Sequence, residues 1–133
     1  MDRLFLDANV LFSAAYKMDA HVLRLWRLEE VFLCSSRYAL EEARFNLAEE
    51  NQHHRLMELS EKLQFYEATE RVLPTGISLP QKDAPILLAA INARANYLVT
   101  GDLRHFGPYF GRRIEGVMIL PPHKYFKIRS DAK

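Results

Sequence analysis

Four short, uninterrupted apolar runs constrain this chain more than any other feature: LFL (Leu4 to Leu6), VFLC (Val31 to Cys34), YLVT (Tyr97 to Thr100) and VMIL (Val117 to Leu120). Continuous apolarity over three or four residues suits a strand covered on both faces, whereas a strand with one wet face would alternate apolar with polar. RVL (Arg71 to Leu73) is expected as a fifth strand.

Helix-like segments separate the runs. The first extends from about Val10 to Tyr16, and AHVLRLWRLEE follows with Val22, Leu25, Trp26 and Leu28 on one stripe. Ser36 is placed to cap RYALEEARFNLAEE, and HHRLMELSEKLQFYEA continues with Leu56, Leu59, Leu63 and Tyr66 as its apolar face. After the turn-rich PTGISLPQ, DAPILLAAINARA reads as a helix with Asp83 at its N-terminus and Pro85 tolerated in the first turn. Alternation of strand and helix predicts α/β, a three-layer sandwich around a central, mostly parallel sheet of four or five strands. In such sheets ligands bind beyond the carboxyl ends of the strands.

One domain over residues 1–133 is expected, since this length buries most of its apolar surface around a single core. A formal charge of +1 excludes a strongly basic or acidic chain but not a local patch of either sign. Cys34 is the only cysteine, which excludes an internal disulfide and fits a reducing cytoplasm. MDRLF, with an acid at position two and no sustained apolar stretch, is expected to be neither a secretory signal nor a membrane anchor.

The carboxyl ends of the expected strands carry acids. LFL runs into Asp7, and YLVT turns through Gly101 to Asp102. Asp83 opens the DAPILL helix, while Glu41 and Glu42 lie in the first turns of the helix after VFLCSS. Each has an ordinary explanation as an N-cap, a turn residue or a helix-dipole partner. Together, four carboxylates at one sheet edge would repel one another unless a cation neutralised them. Oxygen ligands without a Cys or His cluster favour Mg²⁺ or Mn²⁺ over zinc.

These segments resemble the PIN domain family of small α/β metal-dependent nucleases. FLDANVLFSA is similar to the family's opening motif, with Asp7 ending the first strand and the small polar Asn9 two positions on. YALEEARFNL resembles the second block, where Glu42, followed by Ala43 and Leu47, fits better than Glu41. KDAPILLAAINARANYLVTGD resembles the third and fourth blocks and supplies Asp83, Thr100 and Asp102, and VMILPPHKYF resembles the closing strand and short helix. D-x-x-I-L-x-A-A followed by a strand and T-G-D is the most specific part. The sequence departs from some members after Asp102, where LRHFG carries no further acid.

The resemblance implies a Mg²⁺- or Mn²⁺-dependent ribonuclease that hydrolyses phosphodiester bonds in single-stranded or structured RNA. It implies Asp7, Asp83 and Asp102 as metal ligands and Glu42 as a fourth catalytic carboxylate, ligand or base. Asn9 and Thr100 would orient the ligands. Lys82, Arg104 and His105 are the nearest candidates for contacting the nucleic-acid backbone, with Lys17, Arg37, Arg44, Arg112 and Arg113 further off. Phe106, Tyr109 and Phe110 suit either base stacking or the core, with the core favoured. His53 and His54 have no ligand partner at useful spacing and are expected to be structural.

Many small PIN proteins are the toxin of a toxin-antitoxin pair, so an antitoxin protein is an expected partner. A homodimer is also expected, with Leu25, Trp26 and Phe65 as candidate interface residues. The competing reading is a non-catalytic nucleic-acid-binding or scaffold protein of the same fold. A haloacid-dehalogenase-like phosphatase is disfavoured, because that family needs a second Asp where this chain has Asn9.

Overall fold

A computed structural model of the chain describes residues 1–132. The four apolar runs become β1 (Asp2–Leu6), β2 (Val31–Ser35), β4 (Tyr97–Val99) and β6 (Val117–Leu120). Two short strands, β3 (Gln64–Phe65) and β5 (Arg113–Ile114), complete a six-stranded sheet of order β3-β2-β1-β4-β6-β5. All pairings are parallel except β5 with β6. Leu4, Phe5, Leu6, Leu98, Val99 and Ile119 are fully buried, as uninterrupted apolarity requires.

The fifth strand expected at Arg71–Leu73 does not form. Val72 is 81% exposed and the segment lies in a loop, while the edge of the sheet is taken by Gln64–Phe65, paired with Cys34 and Ser35. A two-residue edge strand is too short to show an alternating pattern, and Leu63 and Tyr66 keep step with the preceding helical stripe. β5 was missed for the same reason. It closes a hairpin onto β6 through Glu115 and Gly116, both at positive φ (49° and 88°), the backbone of a type I′ turn.

The helices follow the sequence with adjusted ends: α1 (Ala8–Tyr16), α2 (Arg37–Asn46), α3 (Glu50–Ser60), α4 (Ala84–Asn92) and α5 (Pro122–Asp131). The segment expected as a helix around AHVLRLWRLEE is a 3-10 helix, His21–Arg27. It buries Leu25 completely and lets the Trp26 indole donate to the Leu59 carbonyl at 3.1 Å. α2 stops at Asn46 because Leu47 turns into the core and Gln52 reaches back to accept from the Glu49 N–H at 3.1 Å, starting α3 afresh. Of the residues expected at a dimer interface, Leu25 has no exposed surface, while Trp26 and Phe65 are half-buried against the core.

α5 is anchored by Tyr125, whose ring is fully buried against Tyr97 and whose hydroxyl donates to Asp2 Oδ2 at 2.7 Å. Phe106 and Tyr109 are core residues, and the Tyr109 hydroxyl donates to the Ser78 carbonyl at 3.0 Å. Cys34 is buried within β2, where loss of hydration pushes its thiol up to about 12. No helix among the described residues is long and apolar enough to cross a membrane.

The strand order reverses at β1, whose neighbours are β2 on one side and β4 on the other. Chain leaving β1 and chain leaving β4 therefore diverge, and a crevice opens beyond their carboxyl ends. Residues 7 and 100–102 lie at that point.

Leu98 fills the centre of the sheet with no exposed surface, whereas Phe45 on α2 is 85% exposed. Leu98→Ala is expected to lower unfolding free energy by about 3 kcal/mol and Phe45→Ala by less than about 0.5 kcal/mol, read from urea denaturation midpoints.

Candidate functional site

The site begins with two hydrogen bonds that lock β1 to β4. Asp7 donates its backbone N–H to the Val99 carbonyl at 3.1 Å, and the Thr100 hydroxyl donates to Asp7 Oδ2 at 2.7 Å. The other carboxylate oxygen accepts from the Ala8 N–H and caps α1, so the ordinary N-cap explanation of Asp7 holds alongside any other role.

Asn9 ties the two strand ends together from α1. Its Nδ2 donates to Asp7 Oδ2 at 3.1 Å and to Thr100 Oγ1 at 3.2 Å, and its Oδ1 accepts from the Gly101 N–H at 2.8 Å. Thr100 Oγ1 also accepts from the Asp102 N–H at 3.1 Å. Asn9 and Thr100 thus fix both the rotamer of Asp7 and the turn that presents Asp102.

Asp102 is held by its own loop. Oδ1 accepts from the N–H groups of Arg104 and His105, each at 3.0 Å, and Oδ2 lies 3.2 Å from His105 Nδ1. The bland reading of Gly-Asp as a turn is therefore also satisfied.

Asp83 differs. It occupies the N-cap of α4, yet its side chain caps nothing. An N-cap carboxylate normally accepts from the second or third helical N–H. Here the second position is Pro85, which has no N–H, and the third, Ile86, donates to the Asp83 carbonyl at 3.1 Å. Asp83 is 7% exposed, and its buried Oδ2 has no hydrogen-bond partner among the described residues. His105 Nδ1 sits 3.0 Å away, but its hydrogen bond is directed to Asp102. Asp83 and Asp102 converge with His105 at a spacing that one ion could bridge, so the residues present fit a divalent metal.

Asp7, Asn9, Glu42, Lys82, Asp83 and Asp102 line one cavity of about 460 Å³, together with Phe12, Ala43 and Asn46. Glu42 points into it from α2, while Glu41 is exposed and pairs with Arg44 at 2.8 Å. That pairing occupies Arg44. Lys82 brings a cation to the rim. Arg104 is exposed beside Asp102, whereas the His105 ring is three-quarters buried and turned toward the two aspartates. His53 contacts the Leu47 carbonyl and His54 pairs with Glu58 on the surface, away from the cavity.

Phe12 and Asn46 were not anticipated. Helical spacing carried the signal: Phe12 follows Asn9 by three residues on α1, and Asn46 follows Glu42 by four on α2, so each shares a face with a recognised site residue. His105 was expected among the backbone contacts, and its approach to Asp83 depends on a loop geometry that sequence spacing does not encode.

Electrostatics follows from this crowding. Burial pushes the Asp7 carboxyl from 3.8 up to about 6, partly opposed by its Thr100 and Ala8 hydrogen bonds and reinforced by Asp83 and Glu42. Burial also raises Glu42, against the pull of Lys82, and burial raises Asp83, with a further push from Asp102 and against the pull of Lys82 and of the adjacent His105.

A carboxyl whose pKa rises on folding holds a proton in the folded chain that the unfolded chain has released. Between about 4 and 6 the folded state therefore binds more protons, stability falls as pH rises, and the full cost is present above 6. The metal-free protein is expected to be more stable at pH 5 than at pH 7.5 by about 1 kcal/mol from Asp7 alone, a shift of several degrees in Tm. Asp7→Asn should shrink that difference, and divalent cation added at pH 7.5 should raise Tm. Thermal denaturation in chelator and in MnCl₂ measures both.

The architecture is shared with solved proteins. A chain of the crystal structure of VapBC2 from Rickettsia felis bound to a DNA fragment from their promoter matches with a TM-score of 0.68 at 17% identity, covering 90% of this chain and 98% of its own. A chain of FitAB bound to an IR36 DNA fragment matches with a TM-score of 0.53 at 16% identity, covering 90% and 94%. A sequence search among curated proteins finds no match. The likenesses carry the fold. The PIN domain family model matches residues 3–104, which include Asp7, Glu42, Asp83 and Asp102. With its acids gathered where the sheet order reverses and its sequence matched over that span, the chain belongs to the PIN domain family.

Proposed function

We propose that the chain is a divalent-metal-dependent ribonuclease that hydrolyses RNA phosphodiester bonds. The observation that carries this is the cavity where Asp7, Glu42, Asp83 and Asp102 converge, with Asp83 Oδ2 buried and capping no helical N–H. PIN domains are generally nucleases, and the donor set is the hard-oxygen type that suits Mg²⁺ or Mn²⁺.

Asp7, Asp83 and Asp102 would hold the cation. When bound it supplies positive charge against the scissile phosphate and acidifies a water. Glu42, on the opposite wall and with its carboxyl raised by burial, is placed to take a proton from the attacking water or to ligate. Asn9 and Thr100 keep Asp7 aimed, and Lys82 at the rim is the cation best placed to receive a backbone phosphate, with Arg104 on the adjacent loop.

RNA cleavage is expected in Mg²⁺ or Mn²⁺ and not in chelator. Asp7→Asn and Asp102→Asn should each reduce kcat about 100-fold or more with the fold retained by circular dichroism. Turnover that survives both changes, or that needs no metal, would sink the mechanism. RNA binding without turnover would establish the scaffold reading instead.

The toxin role is supported by the likeness to chains of VapBC2 and FitAB, each a two-component assembly bound to DNA. Expression of the wild-type chain should then arrest growth, Asp102→Asn should not, and co-expression of a small open reading frame adjacent to its gene should relieve the arrest. A cytoplasmic site of action and an antitoxin protein as partner belong to this reading.

A further inference from the structure

We infer that His105 is a ligand of the metal and that its imidazole tunes this site toward Mn²⁺ over Mg²⁺. The inference rests on the metal-nuclease reading above and goes beyond it, because that reading uses oxygen ligands alone and gives His105 no part.

Three ligand atoms converge in the loop after β4. Single atoms of Asp83, Asp102 and His105 lie within 4.8 Å of one another. His105 Nδ1 is 3.0 Å from Asp83 Oδ2 and 3.2 Å from Asp102 Oδ2. Adjacent ligands of an octahedral divalent ion, with bonds of about 2.1 Å, lie about 3 Å apart, so His105 Nδ1 stands at ligand spacing from each carboxylate. The buried Asp83 Oδ2 caps no helical N–H and makes no aligned hydrogen bond, even with the His105 Nδ1 beside it, an independent sign that the atom is aimed into this cluster.

The ring is also built in. The His105 N–H donates to Asp102 Oδ1 at 3.0 Å, which fixes the backbone so that Nδ1 and not the ring edge faces the acids. Phe106, fully buried, anchors the next residue in the core. Ligation through Nδ1 uses the neutral ring that carries its proton on Nε2. This nitrogen stands three residues after Asp102, in the segment that lacks a further acid. It supplies a donor there, of a different chemical kind.

That difference has a consequence for the ion. Mg²⁺ favours oxygen ligands and water, whereas imidazole nitrogen suits the first-row transition ions, and Mn²⁺ accepts both classes. Two carboxylates, an imidazole and Asp7 nearby make a mixed N,O set.

The test is pulsed electron paramagnetic resonance of the full chain loaded with Mn²⁺ alone. The wild type is expected to show nitrogen coupling of a directly bound imidazole, which changes frequency when histidine is ¹⁵N-labelled, and His105→Gln should lose it. By calorimetry, His105→Asp should lower the ratio of Mn²⁺ to Mg²⁺ affinity roughly tenfold. Bound Mn²⁺ without nitrogen coupling in the labelled wild type, or an unchanged affinity ratio, would overturn the assignment while leaving the nuclease reading intact. Failure of the wild type to bind any divalent ion would overturn both. The labelled wild type needs no variant, so a His105 substitution that misfolds does not spare the proposal.

Discussion

Everything at the acidic edge of the sheet depends on one buried charge. Asp7 is 4% exposed at the junction of the two central strands, where a carboxylate is costly and a methyl group would be welcome. The fold meets that cost with donors from three directions: the Ala8 N–H from α1, the Asn9 amide from the same helix, and the Thr100 hydroxyl from the end of β4. The Thr100 and Ala8 bonds lower the carboxyl without restoring it to its ordinary value. The residual strain is electrostatic, and it is relieved by a cation more effectively than by any further hydrogen bond. Stability and chemistry therefore pull in opposite directions at this residue, the usual sign of a functional position.

The remaining acids are arranged by local rules that the chain bends to one purpose. Asp102 is held by its own turn, and Glu42 is one turn inside a helix capped by Ser36. Asp83 is released from capping by the proline two positions later. Three different devices thus bring carboxylates to one cavity. Only at Asp83 is the ordinary role withheld, which makes it the residue whose environment speaks most directly for a ligand.

Much of this was legible in the sequence, for physical reasons. Fully buried parallel strands write themselves as apolar runs, so β1, β2, β4 and β6 were evident. Acids at the carboxyl ends of such strands then fell on one edge by topology alone. Elements stabilised by tertiary contact were not legible. β3 and β5 are two residues each and owe their existence to neighbours. The 3-10 segment owes its form to Leu25 and Trp26 finding the core. The site was read at the level of residue type and missed at the level of direction: spacing placed His105 next to Asp102 but could not show its ring turned inward toward Asp83.

The Thr100 hydroxyl bond to Asp7 spans 93 residues of sequence. Closing a loop of that length costs chain entropy that local contacts do not. Asp7 is synthesised first among the acids, and until β4 pairs beside β1 it has neither Thr100 to orient it nor Asp102 across from it. Until then the four carboxylates are separated along the chain. On the proposed ribonuclease reading, the acidic site is completed only with the finished fold, after the message that encodes it has been read past Asp102.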